Sequence, residues 1–428
     1  MRRIPIVAAF AVALLPSIGT AATLLEISIR PKARPAVSET VVARMATSEP
    51  ATPAPRAAGF GTWIDGIKAR AAARGISRAT VDAAFAGVTY DADVIRRDRN
   101  QSEFTKTIWD YLDTAVSDLR VTNGREALGR HEAVLDQIET RYGVPKEVVV
   151  AVWGLESAYG TFRGESSVIQ SLATLAYDGR RGAFFEAQLW AALEILDAGD
   201  TAPSNMKGSW AGASGHTQFM PTSFLDYAVD FTGDGRRDIW GEDPTDALAS
   251  TANYLARHGW TPGVPWGVEV VLPDGFDFSQ TGHPVKKSAA DWAELGVRDT
   301  AGEPVPDHGP ASVILPGGSD GAVFMVFANF AVIERYNPAD AYVIGVGHLA
   351  DRIAGGAPIR SDWPRHLRAL SFDERKEIQR RLTSAGFDTR GIDGLMGPLT
   401  EEAIRGFQRS IGVTPDGYAS TDLLARLR

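Results

Sequence analysis

The chain has 428 residues, of which 44% are hydrophobic and 23% charged, with no cysteine and a formal net charge of −9. The lack of cysteine excludes disulfides, thiolate metal sites, a cysteine nucleophile and a lipid-bearing N-terminal cysteine. The acidic balance argues against nucleic acid as a partner, and the length suffices for two or three domains with cores of their own.

In chain order, Arg2 and Arg3 precede an apolar stretch from Ile4 to Leu15, and Pro16, Ser17, Gly19 and Thr20-Ala21-Ala22 follow. A basic head, an apolar run too short for a membrane span and a small-residue end describe a secretory signal peptide over residues 1–22. Cleavage would release an exported, periplasmic protein with no stable membrane anchor; an uncleaved anchor is the alternative. Residues 23–56 are rich in Pro, Ala, Ser and Thr and read as a disordered tether.

Periodic sequence begins near Phe60. Ser77 followed by Ala83 and Phe85 predicts a capped helix, and Phe104, Ile108, Trp109 and Leu112 share one helical face. A helix is predicted over residues 125–142, ending at Gly143, with Pro145 opening the next. That next helix is the apolar run Val148–Gly160, which admits a single acid, Glu156. A lone carboxylate on such a face loses hydration, which raises its pKa and suits it to general acid work. Pairing with an arginine or capping a neighbouring helix is the competing structural role.

Helical pattern resumes over residues 167–176 and 183–198. The stretch from Lys207 to Pro221, punctuated by Gly208, Ser209, Gly212, Ser214 and Gly215, reads as a loop entering a short helix. In Asp230-Phe231-Thr232-Gly233-Asp234-Gly235-Arg236, oxygen donors at alternate positions and a glycine turn match the start of an EF-hand calcium loop. Gly241 stands where the bidentate glutamate of that loop belongs. The expectation is a structural calcium (or sodium) ion; the alternative is an Asp-Gly turn held by side-chain hydrogen bonds. After a helix over 245–258, runs near 268–273, 311–316 and 322–327 predict a small inserted sheet. Helix returns over 328–336 and 339–352. Gly355, Gly356, Pro358 and Pro364 mark a linker over 353–369, and residues 370–428 form a separately patterned tail. In it Ile392-Asp393-Gly394 and Pro415-Asp416-Gly417 are two similar turns around one helix.

Trp153-Gly154-Leu155-Glu156-Ser157-Ala158-Tyr159-Gly160 resembles the catalytic segment of the membrane-bound lytic murein transglycosylase B family. Phe104–Leu112, Lys207–Ala213, Gly215–Pro221, Asn253-Tyr254-Leu255 and Arg335-Tyr336-Asn337-Pro338 through Tyr342 resemble further segments of that family, in its order, between about Phe60 and Arg352. Ile378-Gln379, Asp393-Gly394, Phe407-Gln408 and Asp416-Gly417 resemble the three-helix peptidoglycan-binding domain. The resemblance implies a mainly α (α+β) chain. Its parts would be a lysozyme-like helical catalytic domain over 57–352 with a small inserted β region, and a wall-binding tail.

It further implies cleavage of the β-1,4 link between N-acetylmuramic acid and N-acetylglucosamine to give 1,6-anhydro ends. Glu156 would be both acid and base, with no cofactor in the chemistry. By the same resemblance Ser209, Gln218, Tyr254, Tyr336, Asn337 and Tyr342 line the substrate groove. Asp230, Thr232, Asp234, Arg236 through its carbonyl, and Asp246 would ligate the ion. His216 and Thr217 depart from the pattern, which usually has an aromatic residue and a glycine there. The implied partner is the peptidoglycan glycan strand, met by a monomer. A hydrolytic muramidase is the nearest alternative, with Asp178 or Glu165 as its second carboxylate. A non-catalytic wall-binding scaffold is the other.

Overall fold

The computed structural model of the protein describes residues 58–99 and 106–428. The expected signal peptide, the tether and the first two residues of the segment 104–112 lie outside the described residues. Among the described residues no helix is long and apolar enough to cross a membrane.

Three short helices lead in: α1 (Phe60–Ala71), α2 (Arg78–Ala84) and α3 (Ala92–Arg99). Ser77 caps α2, its Oγ accepting the Thr80 N–H at 3.2 Å, which satisfies one of the donors that a helix start leaves unpaired. α4 (Ile108–Ala115) is capped in the same way by Thr107 and buries Ile108, Trp109 and Leu112.

The single helix expected over 125–142 is two, α5 (Asp118–Arg130) and α6 (Glu132–Tyr142), broken at His131. The apolar positions of both halves stay on one helical face, so their spacing alone does not reveal the break. Packing does: α5 lies on α7 (Lys146–Ser157) and α14 (Asp340–Ile353), whereas α6 turns to reach α11 (Thr245–Arg257).

α7 is the axis of the body. Every residue from Val148 to Leu155 is buried, and α5, α6, α11 and α14 surround it. α8 (Val168–Asp178) and α9 (Gly182–Ala198) pack on each other beside it. The two-residue strands β1 (Ser166–Ser167) and β2 (Lys207–Gly208) pair antiparallel and anchor the loop that follows. That loop runs into α10 (Pro221–Tyr227), whose proline fits the first helical turn.

The inserted region is an antiparallel sheet of β3 (Gly267–Val271), β4 (Arg298–Asp299), β5 (Ser312–Ile314) and β6 (Val323–Val326), in the order β4-β3-β6-β5. Register is set by Gly267 opposite Val326 and Val270 opposite Val323. The short helix α12 (Ala289–Glu294), which the sequence reading did not anticipate, covers this sheet. It drops Trp292 into a small core with Val270, Val313, Met325 and Phe327. α13 (Ala328–Tyr336) and α14 then return the chain to the helical body.

The tail is α15 (Phe372–Ser384), α16 (Pro398–Ser410) and α17 (Thr421–Leu427) around Ile378, Leu382, Ile404, Phe407 and Leu424. The segment joining it to the body is pinned. Arg360 and Ser361 donate their backbone N–H groups to Glu269, Trp363 packs on Trp109 at 6.1 Å between ring centres, and Arg365 forms a bidentate pair with Asp113.

One buried group ties the fold to pH. His348 on α14 is buried, and desolvation, aided by the charge of Arg352, pushes its imidazole down to about 4. Between pH 4 and 6.5 the unfolded chain therefore binds a proton that the folded chain refuses. Stability present above pH 6.5 is lost as pH falls, by about 3 kcal/mol at pH 4. His348→Leu is expected to flatten that slope in urea unfolding followed from pH 7 to pH 4; an unaltered slope would assign it to other groups.

Candidate active site

α7 ends one residue beyond Glu156, which is half-buried between the buried Leu155 and Ser157. Past the helix the backbone turns through three successive left-handed residues, Ala158 (φ 50°), Tyr159 (φ 58°) and Gly160 (φ 83°). Two of these carry side chains, a conformation that costs about 1–2 kcal/mol each, so the surroundings must hold it. Tyr159 folds back over Gly154, where an added Cβ would come within 2.6 Å of the ring. Its Oη donates to the carbonyl of Arg120 at 2.7 Å, while the Arg120 guanidinium donates to the carbonyl of Gly154. Ser157 Oγ accepts the Gly160 N–H at 2.9 Å and donates to the carbonyl of His216 at 2.5 Å. The end of α7 is thus fixed from both sides, and Glu156 with it.

α14 supplies the partner of the acid. Tyr342, buried near its start, donates Oη–H to Glu156 Oε1 at 2.7 Å. Tyr111 on α4 lies within electrostatic reach of Glu156, and the sequence reading did not single it out. Burial, then the negative charge of Glu156, holds its phenol well above the usual tyrosine range. It therefore keeps its proton and remains a donor. Gly345 makes room for it: a Cβ there would meet the Tyr111 ring at 2.9 Å. The signal available was a hydroxyl-bearing aromatic between the buried Trp109 and Leu112.

Tyr336 and Tyr254 extend from Tyr342 as a row of packed rings. The rings of Tyr336 and Tyr342 lie parallel, 6.4 Å apart, and Tyr336 packs in turn on Tyr254 and Phe219. Tyr336 Oη donates to the Thr217 carbonyl and Tyr254 Oη to the Arg335 carbonyl, each at 2.6 Å. These hydroxyls fix the loop around 217 and the end of α13. Gln218, at φ 54°, donates Nε2 to the carbonyls of Arg163 and Gly215. Ser209 Oγ accepts the N–H groups of Ala211 and Ala213, which leaves its own proton to donate. Asn337 Oδ1 accepts the Ala339 N–H, which leaves its amide nitrogen as a donor.

His216 joins α7 to the next loop. Trp153 Nε1–H donates to His216 Nδ1 at 3.2 Å, so the ring proton is assigned to Nε2, which faces the Gly241 carbonyl at 2.8 Å. Burial holds this histidine below its ordinary pKa and so neutral. Arg163 donates to the carbonyls of Trp240 and Gly241 and pairs with Glu242.

The loop beyond 230 gathers Asp230, Asp234 and Asp246, whose ligand oxygens all lie within 4.8 Å of one another. That span is the diameter of a shell of oxygens at about 2.4 Å from a central ion, the distance calcium prefers. Asp246 is buried, and burial raises its pKa from the ordinary value with Asp230 adding to the rise, so a cation there would relieve a cost. Asp230 also accepts the N–H groups of Gly233, Asp234 and Gly235, which gives the loop its turn. Thr232 Oγ1 bonds to Asp230 at 3.3 Å, and Arg236 follows the turn with its N–H on Asp234.

The two other carboxylates weighed as catalytic partners each lie beside a cation. Asp178 pairs with Arg99 at 2.9 Å with its side chain 2% exposed. Glu165 has a side chain 91% exposed, 3.7 Å from Lys207.

A family model described as transglycosylase SLT domain matches residues 59–351, and one described as putative peptidoglycan binding domain matches residues 372–427. Membrane-bound lytic murein transglycosylase B of Escherichia coli (strain K12) is 35% identical over 241 residues, 55% of this chain and 64% of that protein. The match thus spans just under two thirds of that relative. The crystal structure of SltB3 from Pseudomonas aeruginosa in complex with NAG-anhNAM-pentapeptide is 48% identical. It superposes with a TM-score of 0.84 over 86% of this chain and 99% of that one. The structure of Escherichia coli Slt35 in complex with calcium is 32% identical, with a TM-score of 0.58 over 70% of this chain and 93% of that one. The mainly helical architecture expected from the sequence, a lysozyme-like body with small sheets and a helical tail, is the one observed.

Proposed function

We propose that this chain, which belongs to the transglycosylase SLT family, cleaves the β-1,4 bond between N-acetylmuramic acid and N-acetylglucosamine of peptidoglycan without water, leaving a 1,6-anhydro end. One observation carries the reading: a single half-buried carboxylate, Glu156, held by a tyrosine hydroxyl at 2.7 Å at the end of a buried helix.

In the first step Glu156 gives its proton to the glycosidic oxygen as the bond to the muramic acid C1 breaks. The acetamido oxygen of the same sugar closes on C1 and carries the positive charge. In the second step the Glu156 carboxylate takes the proton of the C6 hydroxyl while O6 attacks C1 and the acetamido group is released. The glutamate ends protonated, as it began, and no second protein carboxylate is required. Tyr342 holds Oε1 of the acid through its hydroxyl. The bond strengthens when the carboxylate becomes charged.

Tyr342→Phe is expected to slow turnover roughly 10- to 100-fold, the range for losing a hydrogen bond to a charged group. The melting temperature should hardly move. Full activity in that variant would remove Tyr342 from the mechanism.

The reaction itself is tested by mass spectrometry of products from purified peptidoglycan. Anhydro ends are expected; reducing ends would make the protein a hydrolytic muramidase. Wall binding without any product would make it a scaffold.

The residues of the loop after 230 fit a structural calcium ion. Asp230, Asp234 and Asp246 would hold it, with Thr232 and the Arg236 carbonyl completing an oxygen shell. The ion would neutralise converging carboxylates and take no part in proton transfer. The basic-headed apolar N-terminus supports export, and with the substrate it supports a periplasmic, wall-associated monomer.

A further inference from the structure

The tail builds the same clamp twice. Gln379 on α15 donates Nε2 to Asp393 Oδ1 at 2.9 Å and accepts the Gly394 N–H at 2.7 Å, and Asp393 Oδ1 also accepts the Leu395 N–H at 2.8 Å. Gln408 on α16 repeats each bond: to Asp416 Oδ1 at 2.7 Å, from Gly417 at 2.8 Å, with Tyr418 N–H on Asp416 Oδ1 at 2.9 Å. Both glycines are left-handed, at φ 78° and 79°.

The two clamps differ in the use of the outer carboxylate oxygen. Asp416 Oδ2 accepts the N–H of Ser319 at 2.9 Å and its hydroxyl at 3.1 Å. Gly318 lies so close that a Cβ there would sit 2.8 Å from that oxygen and 3.0 Å from Tyr418. The second clamp therefore seats a short backbone stretch, with a residue lacking a side chain against Tyr418 and the next N–H on the carboxylate. Its occupant is a loop of the body. At the first clamp no segment takes that place among the described residues. Asp393 is exposed, Leu395 stands where Tyr418 stands and is 50% exposed, and Ile392 and Leu399 flank it at 47% and 61%.

We propose that the first clamp is a peptide seat. Asp393 Oδ2 accepts a backbone N–H of an extended peptide, and Leu395 covers the backbone of the residue before it. Leucine keeps the Cβ and Cγ that lie nearest Gly318 in the second clamp, so the residue seated against it is small. One acceptor beside an apolar wall suits a peptide backbone better than a sugar, whose many hydroxyls need many partners. The occupant is therefore the peptide stem of the wall polymer, an assignment that rests on the wall-polymer reading above.

The test uses the full chain carrying Glu156→Gln, which leaves the polymer uncut, with and without Asp393→Asn. Asparagine keeps Oδ1 for Gln379 and Leu395 but turns an NH₂ group outward, donor against donor. Retention on intact wall sacs is expected to fall at least tenfold with Asp393→Asn, at an unchanged melting temperature. On sacs stripped of peptide by an amidase, both proteins should bind alike and weakly. If Asp393→Asn perturbs folding, Leu395→Asp, which leaves the Gln379 bonds intact, must show the same loss. Equal retention of parent and variant on intact sacs overturns the proposal, as does equal binding of the parent to stripped and intact sacs. If the parent binds neither, the wall-polymer reading falls with it.

Discussion

Glu156→Gln is expected to lower turnover on peptidoglycan by roughly 10²–10⁴-fold, the contribution of a positioned acid–base group. The substitution conserves shape, and the amide oxygen can still accept the Tyr342 hydroxyl that lies 2.7 Å from Oε1 in the parent. What it removes is the titratable proton. Binding to wall sacs and the melting temperature should therefore hold while the rate constant collapses, a split that separates chemistry from folding. Since one group serves both steps, a Gln variant should accumulate no intermediate. Residual turnover within tenfold of the parent would mean that another group protonates the leaving oxygen, and Glu156 would revert to a structural role.

Asp246→Asn is expected to abolish a calcium-dependent rise in melting temperature. Asp246 accepts the N–H groups of Phe231 and Thr232 on Oδ1 and of Asp238 on Oδ2, between 2.9 and 3.0 Å. An asparagine keeps one side of this set and opposes the Asp238 N–H with a second donor, at about 1–3 kcal/mol. Against that it removes a buried charge that the fold disfavours. Without calcium the two effects oppose each other, and the shift should be small. With calcium at a hundred times its dissociation constant the parent gains about 2.7 kcal/mol, or roughly 5–10 °C, and the variant gains nothing. A scan of melting temperature against calcium decides. A variant that still responds would place the ion elsewhere, and a parent that never responds would leave the loop as an Asp-Gly turn held by its own hydrogen bonds.

What could be read in the sequence follows the range of the interactions involved. α7 and its lone acid were legible because a helix in a core announces itself by composition within a dozen residues, and Ser77 caps by a local rule. Tyr342 is 186 residues from Glu156, and no local pattern links them; only the resemblance named it. Tyr111 went unnamed for the same reason, since its meaning comes from the neighbour α14 brings. The break at His131 leaves the apolar stripe on one face, so periodicity is blind to it. In the tail the two Asp-Gly turns were visible as turns. The glutamines that lock them sit 14 and 8 residues away, and the different occupancy of the clamps is a property of tertiary contact alone.

The segment between body and tail has a consequence for how the two ends would share one polymer. A slack tether lets a second site search, and its benefit fades gradually with length. Here Glu269 grips residues 360 and 361, Trp363 is wedged beside Trp109, and Asp416 reaches back to Ser319. The tail is a fixed arm, and on the function proposed above it would work as a ruler: a strand held there would meet Glu156 at one spacing, and lengthening the joint would blur the position of the cut before it weakened the grip.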